Sequence, residues 1–255
     1  MATENRIQRD GSVAVPLRTP RAFTLIDVLV SMTVIGVLIG ILLPSLATVH
    51  ETARRTVCTS NLRQIGFGVA SFADQNGGRL PPSVFKQGGS MSVQDMLTLR
   101  IAATHPAARS KAQWDGLGIL HEGEYLRGPR VYYCPSHHGD HHFRLYAPQW
   151  GESDQTELVS NYQYRGSGRD GVRDLYRITP SRTALVADGM RTQSDFNHNI
   201  GANILRADLS TGWVDDRIGL GVTSLYSLGD GGDAPISSWQ MDEAWRRLDE
   251  ADSAR

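Results

Sequence analysis

Cysteine is scarce in this chain of 255 residues: Cys58 and Cys134 are the whole supply, so one crosslink is the most it can hold. A surplus of charge is missing as well. Lys and Arg number 26 against 27 Asp and Glu, a net charge of −1, which supplies no global basic field for nucleic acid. No nucleophile elbow, phosphate loop or dinucleotide turn occurs. The glycine-rich stretch from Gly166 to Gly171 follows no clear strand and opens no apolar helix, so it does not predict a phosphate site. These absences point away from an enzyme. The 26 Gly and 11 Pro predict many turns and irregular loops, without low-complexity sequence.

What the chain does have is one long apolar run. From Val28 to Leu46 no charged residue occurs, and about 20 predominantly apolar residues suffice to cross a bilayer as a helix. Ser31 and Thr33 interrupt it at little cost, because helical hydroxyls bond back to the helix's own carbonyls. Asp27 sits at its start. A carboxylate inside the hydrocarbon boundary is costly unless it finds a partner, so Asp27 reads as functional. The alternative is that it snorkels to the interface.

Residues 1–22 are polar, carry Arg6, Arg9, Arg18 and Arg21, and end in Ala22 immediately before Phe23. A secretory signal peptide places its small-residue cleavage site after the apolar stretch, and no clear site of that kind follows here. The order basic leader, Ala22, Phe23-Thr24-Leu25-Ile26-Asp27, apolar helix and Pro44 resembles the type IV prepilin leader, shared by pilins and type II secretion pseudopilins. The resemblance implies a cytoplasmic leader, cleavage by a prepilin peptidase between Ala22 and Phe23, and N-methylation of Phe23. It further implies that Asp27 takes part in filament assembly. Ala22 replaces the family's usual Gly, and Asp27 its usual Glu.

A second resemblance covers scattered residues further on. Cys58-Thr-Ser-Asn61-Leu-Arg-Gln-Ile-Gly66, the Asn76-to-Pro82 turn, Tyr132-Tyr-Cys-Pro-Ser136, and His198 ten residues before Asp208 are similar to pilin-like proteins of planctomycete-type bacteria with a processing-associated C-terminal region. Leu209 stands where that group has Gly, so the turn there is expected to differ.

The implied fold is α+β and pilin-like. One helix is predicted from Phe23 to about Ala73, its transmembrane half at 23–46 and its amphipathic half at 47–73. Leu46, Val49, Ala53, Val57, Leu62, Ile65, Val69 and Phe72 would form the buried stripe, and Pro44 is expected to kink the helix. A globular domain over 74–236 would pack a small antiparallel sheet with long loops against that helix. Its hairpin is predicted as a strand near 202–207, a turn at 208–212 and a strand from 213. Residues 237–255 read as an amphipathic helix capped by Ser237 or Ser238, with Trp239, Met241, Trp245 and Leu248 on one side. Tyr125, Tyr132, Tyr133, Tyr162, Tyr164 and Tyr176 read as packing residues.

Several polar groups invite chemistry. An extracytoplasmic domain favours a disulfide between Cys58 and Cys134; two separate buried thiols are the alternative. His137, His138, His141 and His142 are candidate zinc or copper ligands, but a short loop seldom converges three, and a solvated loop is the favoured reading. Asp208 reads as a turn-former and His198 as a partner of a loop, rather than an acid/base pair. Asp215, Asp216, Asp230 and Asp233 are candidate calcium ligands without the spacing of a recognised calcium loop. No cofactor is expected.

The function that follows from these resemblances is a pilin-like structural subunit, stored in the inner membrane by one span. Its N-terminus would be cytoplasmic and its C-terminal domain periplasmic. The expected partners are a prepilin peptidase and other pilin-like subunits. The alternative is a membrane-anchored extracytoplasmic domain, metal-binding or hydrolytic, that uses a pilin-like export signal.

Overall fold

The computed structural model describes residues 23–87, 95–108, 111–151, 156–179, 181–198, 200–216, 221, 224–225 and 234–251. The leader, with Ala22, and the candidate calcium residues Asp230 and Asp233 lie outside the described residues. Helix α1 runs from Leu25 to Gln75 as one element, without a break at position 44. The chain divides into two compact units, residues 1–47 and 48–255.

In the first unit, α1 is exposed on every side, with Leu25 81% and Val28 42% accessible at the extremes of its apolar residues. It is the one helix among the described residues long and apolar enough to cross a membrane. Its start is capped reciprocally. Thr24 N donates to Asp27 Oδ2 at 3.0 Å while Asp27 N donates to Thr24 Oγ1 at 3.2 Å, a capping box with Asp in the acidic place. Ser31 and Thr33 fold their hydroxyls back onto the carbonyls of Asp27 and Leu29.

Among its described residues the second unit holds two antiparallel sheets rather than one. The smaller has β1 (Thr98–Ile101) between β2 (Gln113–Trp114) and β3 (Leu158–Val159). The larger runs in sequence order: β4 (Tyr162–Tyr164), β5 (Ala184–Asp188), β6 (Gly201–Arg206) and β7 (Thr211–Asp215). The second hairpin strand therefore starts at Thr211, two residues ahead of the expected position, because β6 ends at Arg206 and a tight turn follows. Leu209 in that turn takes φ +65°. That is the left-handed conformation, which Gly adopts freely and which costs a side chain roughly 1–2 kcal/mol.

The larger sheet is covered on both faces, which is why β5 and β6 are buried throughout. Leu205 and Tyr162 pack towards α1, in a core with Leu62, Ile65, Val69 and Leu80. Ala202, Ile204 and Val214 pack with the C-terminal helix α2 (Ser238–Glu250) through Met241, Ala244, Trp245 and Leu248. Burying each such Leu, Ile or Val contributes about 1.5–3 kcal/mol. Gly66 explains the close helix–sheet approach: a Cβ there would lie 2.9 Å from Leu205 Cδ1.

Three expected placements differ. Leu46, Val49, Ala53 and Val57 are exposed; the face of α1 that turns inward runs Glu51, Arg55, Cys58, Leu62, Ile65, Val69, Phe72. That is a strict three-and-four spacing whose first two members are charged. Trp239 is 62% exposed, because it lies about 200° around the helix from Met241. Tyr176 is exposed too, its hydroxyl donating to Asp74. Ser237 caps α2 in a capping box with Gln240.

Candidate functional site

The core-facing stripe of α1 begins with Glu51, and Glu51 meets His198. Its Oε1 lies 2.5 Å from His198 Nδ1, and its Oε2 accepts from Ser136 Oγ at 2.9 Å. His198 is delivered by the loop between β5 and β6, and Ser136 by the Tyr-x-Cys-Pro-Ser segment. Three distant parts of the chain therefore converge on one carboxylate. Burial disfavours its charge, but the hydrogen bonds from His198 and Ser136, with the nearby charge of Arg55, hold Glu51 below the ordinary carboxylate value.

The other ring nitrogen of His198 faces inward. Asn203 Nδ2 donates to Nε2 at 3.1 Å, so Nε2 carries the lone pair and Nδ1 the proton that Glu51 receives. Nε2 also lies 3.4 Å from Cys134 Sγ and 3.5 Å from Asp188 Oδ2. Cys134 is bonded to Cys58 on α1, their Cα atoms 5.3 Å apart, which ties the helix to the Cys-Pro-Ser loop. Asp188 ends β5, wholly buried. The backbone N and Nδ2 of Asn203 donate to its Oδ2 at 2.6 and 2.9 Å, and Asn197 Nδ2 donates to Oδ1 at 3.3 Å. Burial raises its pKa above the usual carboxylate value, against the pull of His198 and of these donors. One sulfur of each cysteine, a carboxylate oxygen of Asp188 and a ring nitrogen of His198 all lie within 4.8 Å of one another.

Trp213 on β7 closes the outer side. Its ring stands edge-on to His198 at 5.5 Å, and Arg55 stacks over it at 4.1 Å while its Nε lies 3.7 Å from Glu51. A surface cavity of about 240 Å³ opens beside it, lined in part by Thr59, Asn203 and Trp213.

Asn197 continues the network to a second group. Its Oδ1 accepts from His137 Nδ1 at 2.7 Å, and His137 Nε2 accepts from the backbone N of His141 at 3.1 Å. Both ring nitrogens of His137 are thus occupied by protein. Burial drives the His137 pKa down to about 4, outweighing the carboxylate of Asp195 3.6 Å away, and lowers that of His141 as well. The solvated-loop reading holds for exposed His138 and His142 only. His137 and His141 are buried because the Cys58–Cys134 bond and Asn161, which accepts from Cys134 N, draw this loop into the core.

The remaining sequence candidates fall elsewhere. Asp208 is exposed and accepts from Ser210 N and Oγ, so the structure does not bring it to His198. His198 meets Cys134 in the Cys-Pro-Ser loop through Nε2, and bonds Glu51 on the helix through Nδ1. Asn61 is buried, its Nδ2 donating to Tyr133 O and Tyr162 OH. Gly166 lies two residues past the end of β4, contrary to the expectation of no strand before it, yet a turn and not a helix comes next. Asp215 closes β7, and Asp216 is buried. Glu51 and Asp188 were missed. Extending the spacing of Cys58 and Leu62 back by seven residues reaches Glu51, a signal hidden because a charged residue reads as solvent-facing.

Comparison with protein-family models, with curated proteins and with solved structures gave no match.

Proposed function

We propose that this chain is a pilin-like structural subunit, stored in the inner membrane and built into a type II secretion pseudopilus or a type IV pilus-like filament. A prepilin peptidase removes residues 1–22 at the cytoplasmic face and methylates Phe23, and the domain stands on the periplasmic side. The proposal assigns the chain no catalytic step.

The observation that supports this best is α1 from Leu25 to Leu46. Its apolar side chains are exposed all round, with one acid, Asp27, in the first turn. Such a surface needs lipid or the equivalent helices of other subunits to cover it. Asp27 binds Thr24 N through Oδ2. Its Oδ1 can take the new N-terminal amine of a neighbouring subunit. Pairing two charges that are each costly in hydrocarbon fixes the axial register of the filament.

The mature N-terminus tests the processing step. Mass spectrometry of the membrane-extracted chain is expected to find it beginning at methylated Phe23. A start downstream of Leu46 would mean an ordinary secreted protein and contradict the proposal.

A further inference from the structure

Cys58, Cys134, Asp188 and His198 are more than a crosslink with polar neighbours. With the disulfide reduced, we propose, these four side chains form a binding site for zinc or a similarly thiophilic divalent cation. Crosslink and metal site are then two exclusive states of one cluster.

The donor set comes first. Two thiolates, an imidazole and a carboxylate make a four-ligand set that suits zinc, which takes sulfur at about 2.3 Å and nitrogen or oxygen at about 2.0–2.2 Å. Tetrahedral geometry with those bonds separates sulfur from nitrogen by about 3.5 Å and nitrogen from oxygen by about 3.4 Å. Cys134 Sγ and Asp188 Oδ2 already stand 3.4 and 3.5 Å from His198 Nε2. The remaining donor pairs lie within 4.8 Å of one another; to bind the ion the two sulfurs must part to about 3.8 Å, and Asn203 Nδ2, which now donates to Nε2 at 3.1 Å, must turn away from that lone pair.

The surrounding groups are arranged as a metal site needs. His198 keeps its lone pair on Nε2, facing both sulfur and carboxylate, because Glu51 accepts the proton on Nδ1 at 2.5 Å. A carboxylate behind a ligating imidazole fixes its tautomer and raises its basicity. Asp188 is oriented by three N–H donors from Asn203 and Asn197. Both cysteines, Asp188 and His198 are buried, while Asn203 and Trp213, which touch Asp188 and His198, line a cavity at the surface.

The chemistry balances. A phosphine reductant passes two electrons to the disulfide and takes up the oxygen of a water molecule; the two protons of that water end on the sulfurs. A dithiol does the same and becomes a disulfide itself. The incoming cation then releases both thiol protons to solvent, and His198 releases none.

Cobalt(II) is a coloured probe of such a site. The full chain in detergent is divided, one half oxidised and one half treated with the phosphine, then both are given cobalt(II) and desalted. The reduced half is expected to retain about one cobalt per chain, with sulfur-to-cobalt charge transfer in the near ultraviolet and the visible bands of tetrahedral coordination. Zinc is expected to displace it, and the oxidised half to retain none. His198→Ala and Asp188→Asn should weaken binding at least tenfold and Glu51→Gln about 10–100-fold, while Asp242→Ala on the exposed face of α2 should leave it unchanged. Three results would overturn the proposal: no cobalt on the reduced wild-type chain, cobalt without sulfur charge transfer, or equal binding by both halves. The wild-type comparison stands even if a variant fails to fold.

Discussion

Glu51 and His198, 147 residues apart in sequence, share a 2.5 Å hydrogen bond at the point where helix, Cys-Pro-Ser loop and larger sheet meet. The bond orients His198 so that its other nitrogen faces the cysteines and Asp188, so the carboxylate on α1 governs the polar centre of the domain.

Removing that carboxylate has a defined cost. Glu51→Ala leaves the Nδ1–H of His198 and the hydroxyl of Ser136 without their acceptor and should lower stability by about 1–3 kcal/mol. Glu51→Gln keeps an acceptor and should cost less. Urea unfolding of the detergent-solubilised chain checks both, and equal loss in the two variants would show that charge, not acceptance, matters.

The crosslink is checked by thiol labelling under denaturing, non-reducing conditions, which should find neither Cys58 nor Cys134 free. Reduction in the presence of a chelator should then cost up to about 4 kcal/mol, the chain-entropy figure for a loop of this length.

An ion pair holds helix α2 to the sheet. Arg165 Nη1 contacts both carboxylate oxygens of Asp249, at 3.1 and 2.8 Å, and Ala184 N donates to Oδ1 at 2.8 Å. Asp249→Ala strands a largely buried guanidinium and should destabilise by about 3–5 kcal/mol. Surface Asp242→Ala should change little, within about 0.5 kcal/mol.

Acid should loosen the His137 region. Its folded pKa is about 4 against an ordinary 6.5, so between these values the unfolded chain binds a proton that the folded chain refuses. The stabilisation is fully present above pH 6.5 and lost as pH falls towards 4. His141, lowered as well, acts in the same direction. Unfolding midpoints across this range should fall with pH, and His137→Gln should flatten the profile.

How much of this was legible follows from particular residues. The long helix, the hairpin around Asp208 and the capped C-terminal helix announce themselves through periodicity and turn chemistry, and the Cys58–Cys134 link through the compartment the resemblance implies. The buried stripe of α1 was placed wrongly at its start, because Val49, Ala53 and Val57 match helical spacing as well as Glu51 and Arg55 do. Apolarity chooses the wrong face there. Asp188 carries no local signal at all: a carboxylate at the end of a strand looks exposed until Asn197, Asn203 and His198 close around it. The second sheet was missed because β2 and β3 are two residues each, too short to show alternation.

The account's central claim is assembly through the N-terminal helix, and crosslinking of neighbouring subunits within membranes and filaments tests it most directly. Asp27→Ala should insert and be processed but lose the multimer ladder. One partner of a desolvated charge pair is worth about 3–5 kcal/mol, enough to weaken subunit addition several hundredfold. Asp27→Glu should keep the ladder. Thr24→Ala, which removes only the hydroxyl half of the helix cap, should keep it too and so separates capping from assembly. A normal ladder from Asp27→Ala would contradict the claim and leave a membrane-anchored domain as the better description.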